Sequence, residues 1–123
     1  MNSGPLHTLS KQERLSGKTA IANLLEHGRY LSVPPCLRVC FLPTEEPVSR
    51  ILLSVPKKNF KRAVRRNLLK RRIRESYRLQ KELLPRRFDL MFSYTPKEVL
   101  SYAEIHAAVG RALEILACQA AAR

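Results

Sequence analysis

The sequence predicts a small α+β protein whose main elements follow the order helix, strand, strand, helix, strand, helix. Apolar residues alternate with the period of a strand between Leu37 and Phe41, and they repeat with the period of a helix between Ile105 and Leu116. A chain of 123 residues, of which 45% are hydrophobic, is long enough for one domain with a core and short for two. We therefore expect residues 1–123 to form a single αβ sandwich domain, with flexible ends at residues 1–12 and 118–123.

The first helix is predicted over residues 16–26, where apolar residues recur at helical spacing. Those residues are Ile21, Leu24 and Leu25. Gly28 follows at a position where helices commonly end with a residue in the left-handed conformation. Pro34 and Pro35 then interrupt the chain, and a short strand is possible before them, near residues 30–33.

Three strands and a long helix are predicted in the middle of the chain. The alternating segment 37–41 is half-buried, whereas the apolar run 51–55, ended by Pro56, is typical of a more deeply buried strand. A helix is expected from about residue 62 to residue 84, and a third strand over residues 88–94.

The last helix has the clearest start. Ser101 and Glu104 have the spacing of a capping box, in which each side chain accepts a hydrogen bond from the other residue's backbone N–H. The apolar residues behind them keep helical spacing up to Leu116.

Most of the excess positive charge lies in one segment. Between Lys57 and Arg87 there are 14 basic residues and two acids, Glu75 and Glu82, so this segment supplies +12 of the formal net charge of +13. Like charges at helical spacing repel by a few tenths of a kcal/mol per pair, or about 0.2–0.5. A polyanion that neutralises them is the simplest explanation, and a nucleic acid is the simplest polyanion.

On a helix, the basic residues of this segment form a stripe. At about 100° per residue, one side presents Asn67, Lys70, Arg71, Arg74, Arg78 and Lys81. Another side presents a narrow apolar seam of Leu69, Ile73 and Tyr77. The arginine fork suits bidentate contact with phosphate. An ordinary solvated helix would have mixed signs, and a helix lying on a membrane would need a broader apolar face.

Several other functions are disfavoured. Gly17-Lys18-Thr19 imitates the end of a phosphate-binding loop, but Gln12 stands where the first glycine is required. No serine or cysteine lies in a recognisable nucleophile motif. The N-terminus lacks the apolar core of a signal peptide, and no apolar run approaches the roughly 20 residues that span a bilayer.

The three cysteines are Cys36, Cys40 and Cys118. We expect all of them to be small buried apolar residues, because the number is odd and no export signal precedes them. A zinc site is disfavoured because Cys36 and Cys40 have no second pair of ligands at a suitable spacing.

An ordered set of residues in and before the basic helix carries a family resemblance. The set is Lys57, Lys58, Ala63, Val64, Arg66, Asn67, Lys70, Arg71, Arg74, Glu75, Tyr77 and Arg78. It resembles the signature of the protein subunit of bacterial ribonuclease P. Weaker similarity at Arg14-Leu15, His27-Gly28 and Ser54-Val55 extends the resemblance over nearly the whole chain.

The sequence departs from that family pattern at a few positions. Leu68 stands where the family's usual Arg-Asn-Arg core has its second arginine, and Arg72 stands where an apolar residue is more common. The family's first helix usually presents aromatic residues to a central cleft, whereas the matching positions here are Ile21 and Leu25.

The resemblance implies a sheet of about four strands packed against helices, an arrangement similar to a domain of a small-subunit ribosomal protein. It also implies a left-handed βαβ crossover around the basic helix, although general statistics favour a right-handed one.

The resemblance further implies a cytoplasmic accessory subunit of the endoribonuclease that removes the 5′ leader of precursor tRNA. Its partners would be the catalytic RNA and precursor tRNA, with no membrane and no obligate protein partner. The RNA with its bound Mg²⁺ would be the catalyst, and the polypeptide would have no catalytic residue, metal or cofactor of its own.

Two groups of site residues follow from the resemblance. The RNA-binding set is Lys57, Lys58, Lys61, Arg62, Arg65, Arg66, Asn67, Lys70, Arg71, Arg74 and Arg78. The leader cleft is Ile21 and Leu25 on the first helix with Arg38 and Cys40 on the outer face of the first strand; a shift of one residue would substitute Phe41.

Two alternatives remain open at this point. One is a ribosomal or general protein that binds structured RNA and has no role in cleavage. The other is a DNA-binding protein, which would bind duplex DNA in competition with structured RNA.

Overall fold

A four-stranded sheet with helices on both faces forms the protein, and the computed structural model describes residues 10–121 of it. The helices and strands are α1 (Lys18–His27), β1 (Arg29–Val33), β2 (Leu37–Pro43), β3 (Arg50–Ser54), α2 (Ala63–Gln80), β4 (Phe88–Tyr94) and α3 (Tyr102–Ala121). Two short 3₁₀ turns, Lys11–Glu13 and Lys81–Leu83, complete the list. The predicted α+β class and element order are confirmed, including the short strand before the prolines.

The sheet has the order β1, β2, β4, β3. All neighbouring strands are antiparallel except β3 and β4, which pair in parallel and are connected through α2. The last strand of the chain therefore lies in the interior of the sheet, between β2 and β3. β1 and β3 are the two edge strands.

The inner face of the sheet packs against α2 and α3. Leu69 and Ile73 of α2, Leu113 of α3 and Phe92 of β4 are fully buried in this core. Each buried apolar side chain of this size contributes roughly 1.5–3 kcal/mol relative to exposure. The predicted apolar seam of α2 is thus confirmed, and the buried Ser76 joins it.

The ends of the helices agree with the sequence in part. Ser101 and Glu104 form the predicted capping box of α3, with the Glu104 N–H 3.2 Å from Ser101 Oγ and the Ser101 N–H 3.3 Å from Glu104 Oε1. α2 ends at Gln80, four residues before the predicted end at Leu84, because the backbone tightens into the 3₁₀ turn before Pro85.

Gly28 does not adopt the predicted left-handed conformation. Its φ of −74° and ψ of 158° are those of extended backbone. Glycine is required there for space, because a Cβ would lie 2.4 Å from the Leu24 carbonyl oxygen and 2.7 Å from Cys40 Sγ. The helix therefore stops where it touches the sheet, and the chain continues directly into β1.

The cysteine prediction is right at two positions and wrong at the third. Cys36 and Cys40 are buried, whereas Cys118 is exposed. The buried positions of α3 include Leu113 and Leu116, and Cys118 follows Leu116 by two residues, which turns it away from the sheet.

The predicted flexible ends overlap ordered elements of the described chain. Residues 10–12 include the start of the first 3₁₀ turn, and residues 118–121 belong to α3. The remainder of both segments, residues 1–9 and 122–123, lies outside the described residues.

Candidate nucleic-acid interface

The basic residues occupy the outward side of α2 and the loop that leads into it. Seven of the RNA-binding set are exposed: Lys57, Lys58, Lys61, Arg62, Arg65, Asn67 and Arg71. Four are half-buried: Arg66, Lys70, Arg74 and Arg78. The first turn of α2 contains no acid, so the positive end of the helix dipole adds to this charge.

Few acids neutralise these cations. Within residues 10–121, Arg78 is the one member of the RNA-binding set that has a carboxylate within ion-pair distance, that of Glu75 on the preceding turn. The contact with Arg78 lowers the pKa of the Glu75 carboxyl, which keeps this acid ionised. The other cations of the set are left for an external anion.

Arg66 has a structural task as well as its charge. One nitrogen of its guanidinium, Nη1, donates to the carbonyl oxygens of Phe60 at 2.7 Å and Lys61 at 2.9 Å. These bonds fold the loop back against the first turns of α2. Arg66 therefore holds the loop in place at Phe60 and Lys61 and has further N–H groups besides those of Nη1.

Arg72, the additional arginine of this sequence, is also engaged. Its Nη1 donates to the carbonyl oxygen of Leu100 at 2.6 Å, in the loop before α3. The side chain thus connects α2 with the loop before α3.

Lys81 does not belong to the stripe in which the sequence placed it. α2 has already ended at Gln80, and the Lys81 Nζ lies 3.1 and 2.8 Å from the two carboxylate oxygens of the buried Glu13. The helical projection failed here because it assumed one more turn of regular helix. The pair ties the N-terminal 3₁₀ turn to the end of α2.

The outer face of the sheet, which faces α1, is only partly covered. The strand register brings three rows of side chains to this face: first Tyr30, Cys40, Met91 and Leu52, second Ser32, Arg38, Ser93 and Ser54, and third Leu42, Asp89 and Arg50. α1 packs over this first row except at Tyr30, and Leu24 and Cys40 are buried there together with Leu15. The second row is polar, and Arg38 in it is exposed.

The four residues of the leader cleft have different environments. Leu25 is 44% exposed and Arg38 is exposed, whereas Ile21 is half-buried against the sheet. Cys40 is 1% exposed beneath α1, with Sγ 3.5 Å from the Leu24 carbonyl oxygen, and burial raises its pKa. Cys40 is therefore covered by α1 and is not accessible to a ligand.

The alternative register with Phe41 is wrong. Phe41 lies on the inner face of the sheet, where its ring meets that of Phe88 edge to face at a centroid distance of 6.2 Å. Strand alternation puts its neighbour Cys40 on the outer face.

Tyr30 is a candidate that the sequence reasoning missed. It pairs with Cys40 across the sheet, is 50% exposed, and lies under the guanidinium of Arg38, whose Cζ is 4.4 Å from the ring centroid. This is a cation–π contact. The signal in the sequence is the alternation of Tyr30 and Ser32 with the apolar Leu31 and Val33, which on a strand places Tyr30 on the outer face.

Two further features of residues 10–121 bear on function. No group of three or more His, Cys, Asp or Glu side chains in this range is arranged to hold a metal ion. None of the helices in this part of the chain combines the length and apolar character needed to cross a membrane.

Comparison with known proteins identifies the family. The family model for ribonuclease P matches residues 9–117. The chain belongs to the ribonuclease P protein family. Its match includes all the elements from the first 3₁₀ turn to most of α3, and with them the whole basic face.

Individual relatives agree with this assignment. The ribonuclease P protein component of Porphyromonas gingivalis strain W83 is 45% identical over 86 residues, which cover 68% of this chain and 63% of the relative. That of Petrotoga mobilis is 37% identical over 94 residues, or 76% of each chain. The chain thus spans less than two thirds of the length of the Porphyromonas relative.

Solved structures share the fold. The ribonuclease P protein of Thermotoga maritima superposes with a TM-score of 0.74 at 26% identity, covering 84% of this chain and 96% of that one. The Staphylococcus aureus protein gives a TM-score of 0.72 at 23% identity, which is evidence for the fold alone.

Proposed function

We propose that this ribonuclease P family member is the protein subunit of a ribonucleoprotein that removes the 5′ leader of precursor tRNA in the cytoplasm. The observation that carries the proposal is the basic face of α2 and its preceding loop: within residues 10–121 no cation of the RNA-binding set except Arg78 has a carboxylate within ion-pair distance, and this face carries the family's basic signature. The names of the relatives, ribonuclease P protein component, support it.

In this proposal, α2 and the loop before it bind the catalytic RNA. The exposed lysines and arginines neutralise phosphates, and each contact releases condensed counterions. Arg66 contributes by holding the loop residues Phe60 and Lys61 against the helix. Asn67 adds an amide, which donates and accepts hydrogen bonds and so suits an RNA surface better than charge alone does.

The open part of the sheet's outer face is proposed to hold the single-stranded leader. Proteins that bind single strands combine basic side chains with surfaces on which bases stack. Here Arg38 and Tyr30 offer both in one contact, and the exposed Leu25 offers an apolar rim. The aromatic group that the family usually carries on the first helix is, in this chain, on β1.

The polypeptide is proposed to supply affinity and placement. Mg²⁺ bound by the RNA would activate the attacking water and stabilise the leaving oxygen of the phosphodiester. The residues of this chain would position the leader beside that RNA and hold no metal or cofactor of their own.

Reconstitution tests this proposal. The purified protein, mixed with a bacterial catalytic RNA, should stimulate cleavage of precursor tRNA at low Mg²⁺ relative to the RNA alone. Arg29 provides a control, because it is an exposed cation on β1, the edge strand opposite β3. The Arg29→Ala protein should stimulate cleavage as well as the wild-type protein does.

The other outcomes are equally decisive. Tight binding to structured RNA without any stimulation would overturn the cleavage role in favour of a general RNA-binding protein. Preference for duplex DNA over structured RNA would overturn it in favour of a DNA-binding protein.

A further inference from the structure

A groove lies at the β3 edge of the sheet, beside α2. It has a volume of about 290 Å³ and is formed by three segments that are distant in sequence. Arg14, Leu15 and Ser16 come from the segment before α1, Ile51 to Leu53 from the edge strand β3, and Lys70 and Arg74 from α2.

The walls of this groove are basic. Three of its eight lining residues are cations, Arg14, Lys70 and Arg74, and none is an acid. Within residues 10–121 no carboxylate lies within ion-pair distance of any of the three. Glu13, which is next to Arg14 in the chain, is occupied by Lys81.

The backbone, rather than flexible side chains, brings these charges together. The Leu15 N–H donates to the Ile51 carbonyl oxygen at 2.8 Å, which fixes the segment of Arg14 along β3. Lys70 and Arg74 flank the buried Leu69 and Ile73 on α2. Three like charges held at one groove repel one another, and an anion that binds among them removes this cost.

The size and chemistry of the groove suit a phosphate. Its volume is about ten times the roughly 30 Å³ that one water molecule occupies in the liquid, which leaves room for a partly hydrated phosphodiester. Arginine can bind phosphate in a bidentate manner, and the Ser16 hydroxyl adds a further donor. The floor, from Ile51 to Leu53, is the edge of β3.

We propose that this groove binds a backbone phosphate of nucleic acid, with Arg14 as the cation supplied from outside the basic helix. The groove combines Lys70 and Arg74, which belong to the RNA-binding set on α2, with the segment before α1 and the edge strand β3. This inference rests on the proposed function, since the RNA-binding role of α2 is assigned there.

The phosphate has two sources, the catalytic RNA or the leader, and the test has one arm for each. The first arm measures affinity for the catalytic RNA alone, as a function of salt. The second arm measures the affinity of the assembled holoenzyme for precursor tRNA with leaders of increasing length, again as a function of salt. Wild type, Arg14→Ala and Arg29→Ala are compared in both arms, because the two substitutions remove the same charge from opposite edges of the sheet.

Arg14→Ala should lower the slope of log affinity against log salt by about 0.7–0.9, the loss expected for one phosphate contact. A loss in the first arm assigns the phosphate to the catalytic RNA. A loss in the second arm, once the leader is long enough to reach the groove, assigns it to the leader. Arg29→Ala should leave the slope unchanged in both arms. Arg14→Lys should keep most of the wild-type slope, because it keeps the positive charge.

A second variant protects the test against misfolding. Ser16 is exposed, and Ser16→Asp places a negative charge in the groove while Arg14 stays. Ser16→Asp should lower the RNA affinity in the same arm in which Arg14→Ala lowers it, and the melting temperature of the protein should stay unchanged. Slopes equal to wild type for both variants in both arms would overturn the inference.

The proposed function has its own readout in the same assays. If Arg71→Ala on the outer side of α2 lowers the slope while the Arg14 and Ser16 variants do not, the groove is refuted and the function stands. If none of the variants changes the slope and the wild-type protein does not stimulate cleavage, the proposed function is refuted.

Discussion

The guanidinium of Arg38 lies over the ring of Tyr30, with its Cζ 4.4 Å from the ring centroid, on the part of the sheet that α1 leaves open. The two residues belong to adjacent rows of neighbouring strands, since Tyr30 pairs with Cys40 and Arg38 with Ser32. Together they form an aromatic and basic surface on the sheet, whereas α1 of this chain carries no aromatic residue.

Tyr30→Ala should weaken binding of leader-bearing precursor to the holoenzyme and spare binding of mature tRNA. Stacking of one base contributes about 1–3 kcal/mol, or roughly 5- to 150-fold in affinity. Tyr30→Phe should keep most of this affinity, because the aromatic ring is retained. Tyr102→Ala, which removes another exposed tyrosine on α3, is the control and should have no effect. Unchanged leader preference in Tyr30→Ala would show that no base stacks there.

Leu25→Asp should also reduce the preference for leader-bearing precursor over mature tRNA. Leu25 is 44% exposed, so the charge repels leader phosphates at little cost in folding, whereas the same change at Ile21 would disturb packing on the sheet. Competition binding with the two RNAs measures the preference. Equal loss of affinity for both RNAs and for the catalytic RNA would contradict a role confined to the leader.

Arg66 and Arg71 should respond differently to alanine. Arg71 is exposed and bonds to no other described side chain, so Arg71→Ala should lower the salt slope for catalytic RNA by about 0.9 and leave stability within about 0.5 kcal/mol. Arg66→Ala also removes two hydrogen bonds to the loop carbonyls, which should cost about 1–2 kcal/mol of unfolding free energy.

Salt titrations and denaturant unfolding separate the two effects. Arg66→Lys should restore the loop only in part: its ammonium can donate to two carbonyl oxygens as Nη1 does, but the lysine side chain is one bond shorter. Identical stability of the Arg66 and Arg71 variants would mean that the loop is held by other contacts.

Gly28→Ala should destabilise the protein by about 1–3 kcal/mol, the usual cost of overpacking. The added Cβ would meet the Leu24 carbonyl oxygen and Cys40 Sγ at the contact between α1 and β2. Gly17→Ala is a useful comparison, because its cost would come from the φ of +92° while nothing lies within 4 Å of the new Cβ.

A double-mutant cycle with Cys40→Ala identifies the cause. Removal of Sγ should recover part of the loss in Gly28→Ala and none in Gly17→Ala. Denaturant unfolding gives the free energies. Absence of coupling between residues 28 and 40 would rule out the crowding explanation.

The three thiols should react with a disulfide reagent such as DTNB in two phases. Burial raises the pKa of Cys36 and of Cys40, so at pH 8 each has less thiolate than an ordinary cysteine, and both are shielded from the reagent. The exposed Cys118 should therefore react first, with one thiol per chain. Cys118→Ser should remove the fast phase, and urea should release the other two. A fast phase that survives in Cys118→Ser would contradict the burial of the remaining thiols.

The sequence identified the strands and the core because local patterns determine them. Alternation located β2, an apolar run ended by Pro56 located β3, and the Ser101–Glu104 spacing located the start of α3. The apolar seam of α2 followed from its period alone. These features depend on residues that are close together in the chain.

The sequence could not assign roles that depend on distant partners. Arg72 stands where the family more often has an apolar residue, and its hydrogen bond goes to Leu100, which is 28 residues away. Lys81 looked like part of the stripe, yet its carboxylate partner Glu13 is 68 residues away. The grouping of Arg14 with Lys70 in one groove likewise requires the pairing of Leu15 with β3, which no local pattern encodes.

The interior position of β4 has a consequence for synthesis of the chain. β2 and β3 do not pair with each other. Both pair with β4, which becomes available only when residues 88–94 have been synthesised. A growing chain that has released its most basic segment, α2, therefore still lacks the strand that joins the two halves of the sheet. We expect ribosome-bound chains that end before Phe88 to be protease-sensitive, and those in which Tyr94 has cleared the exit tunnel to gain protection.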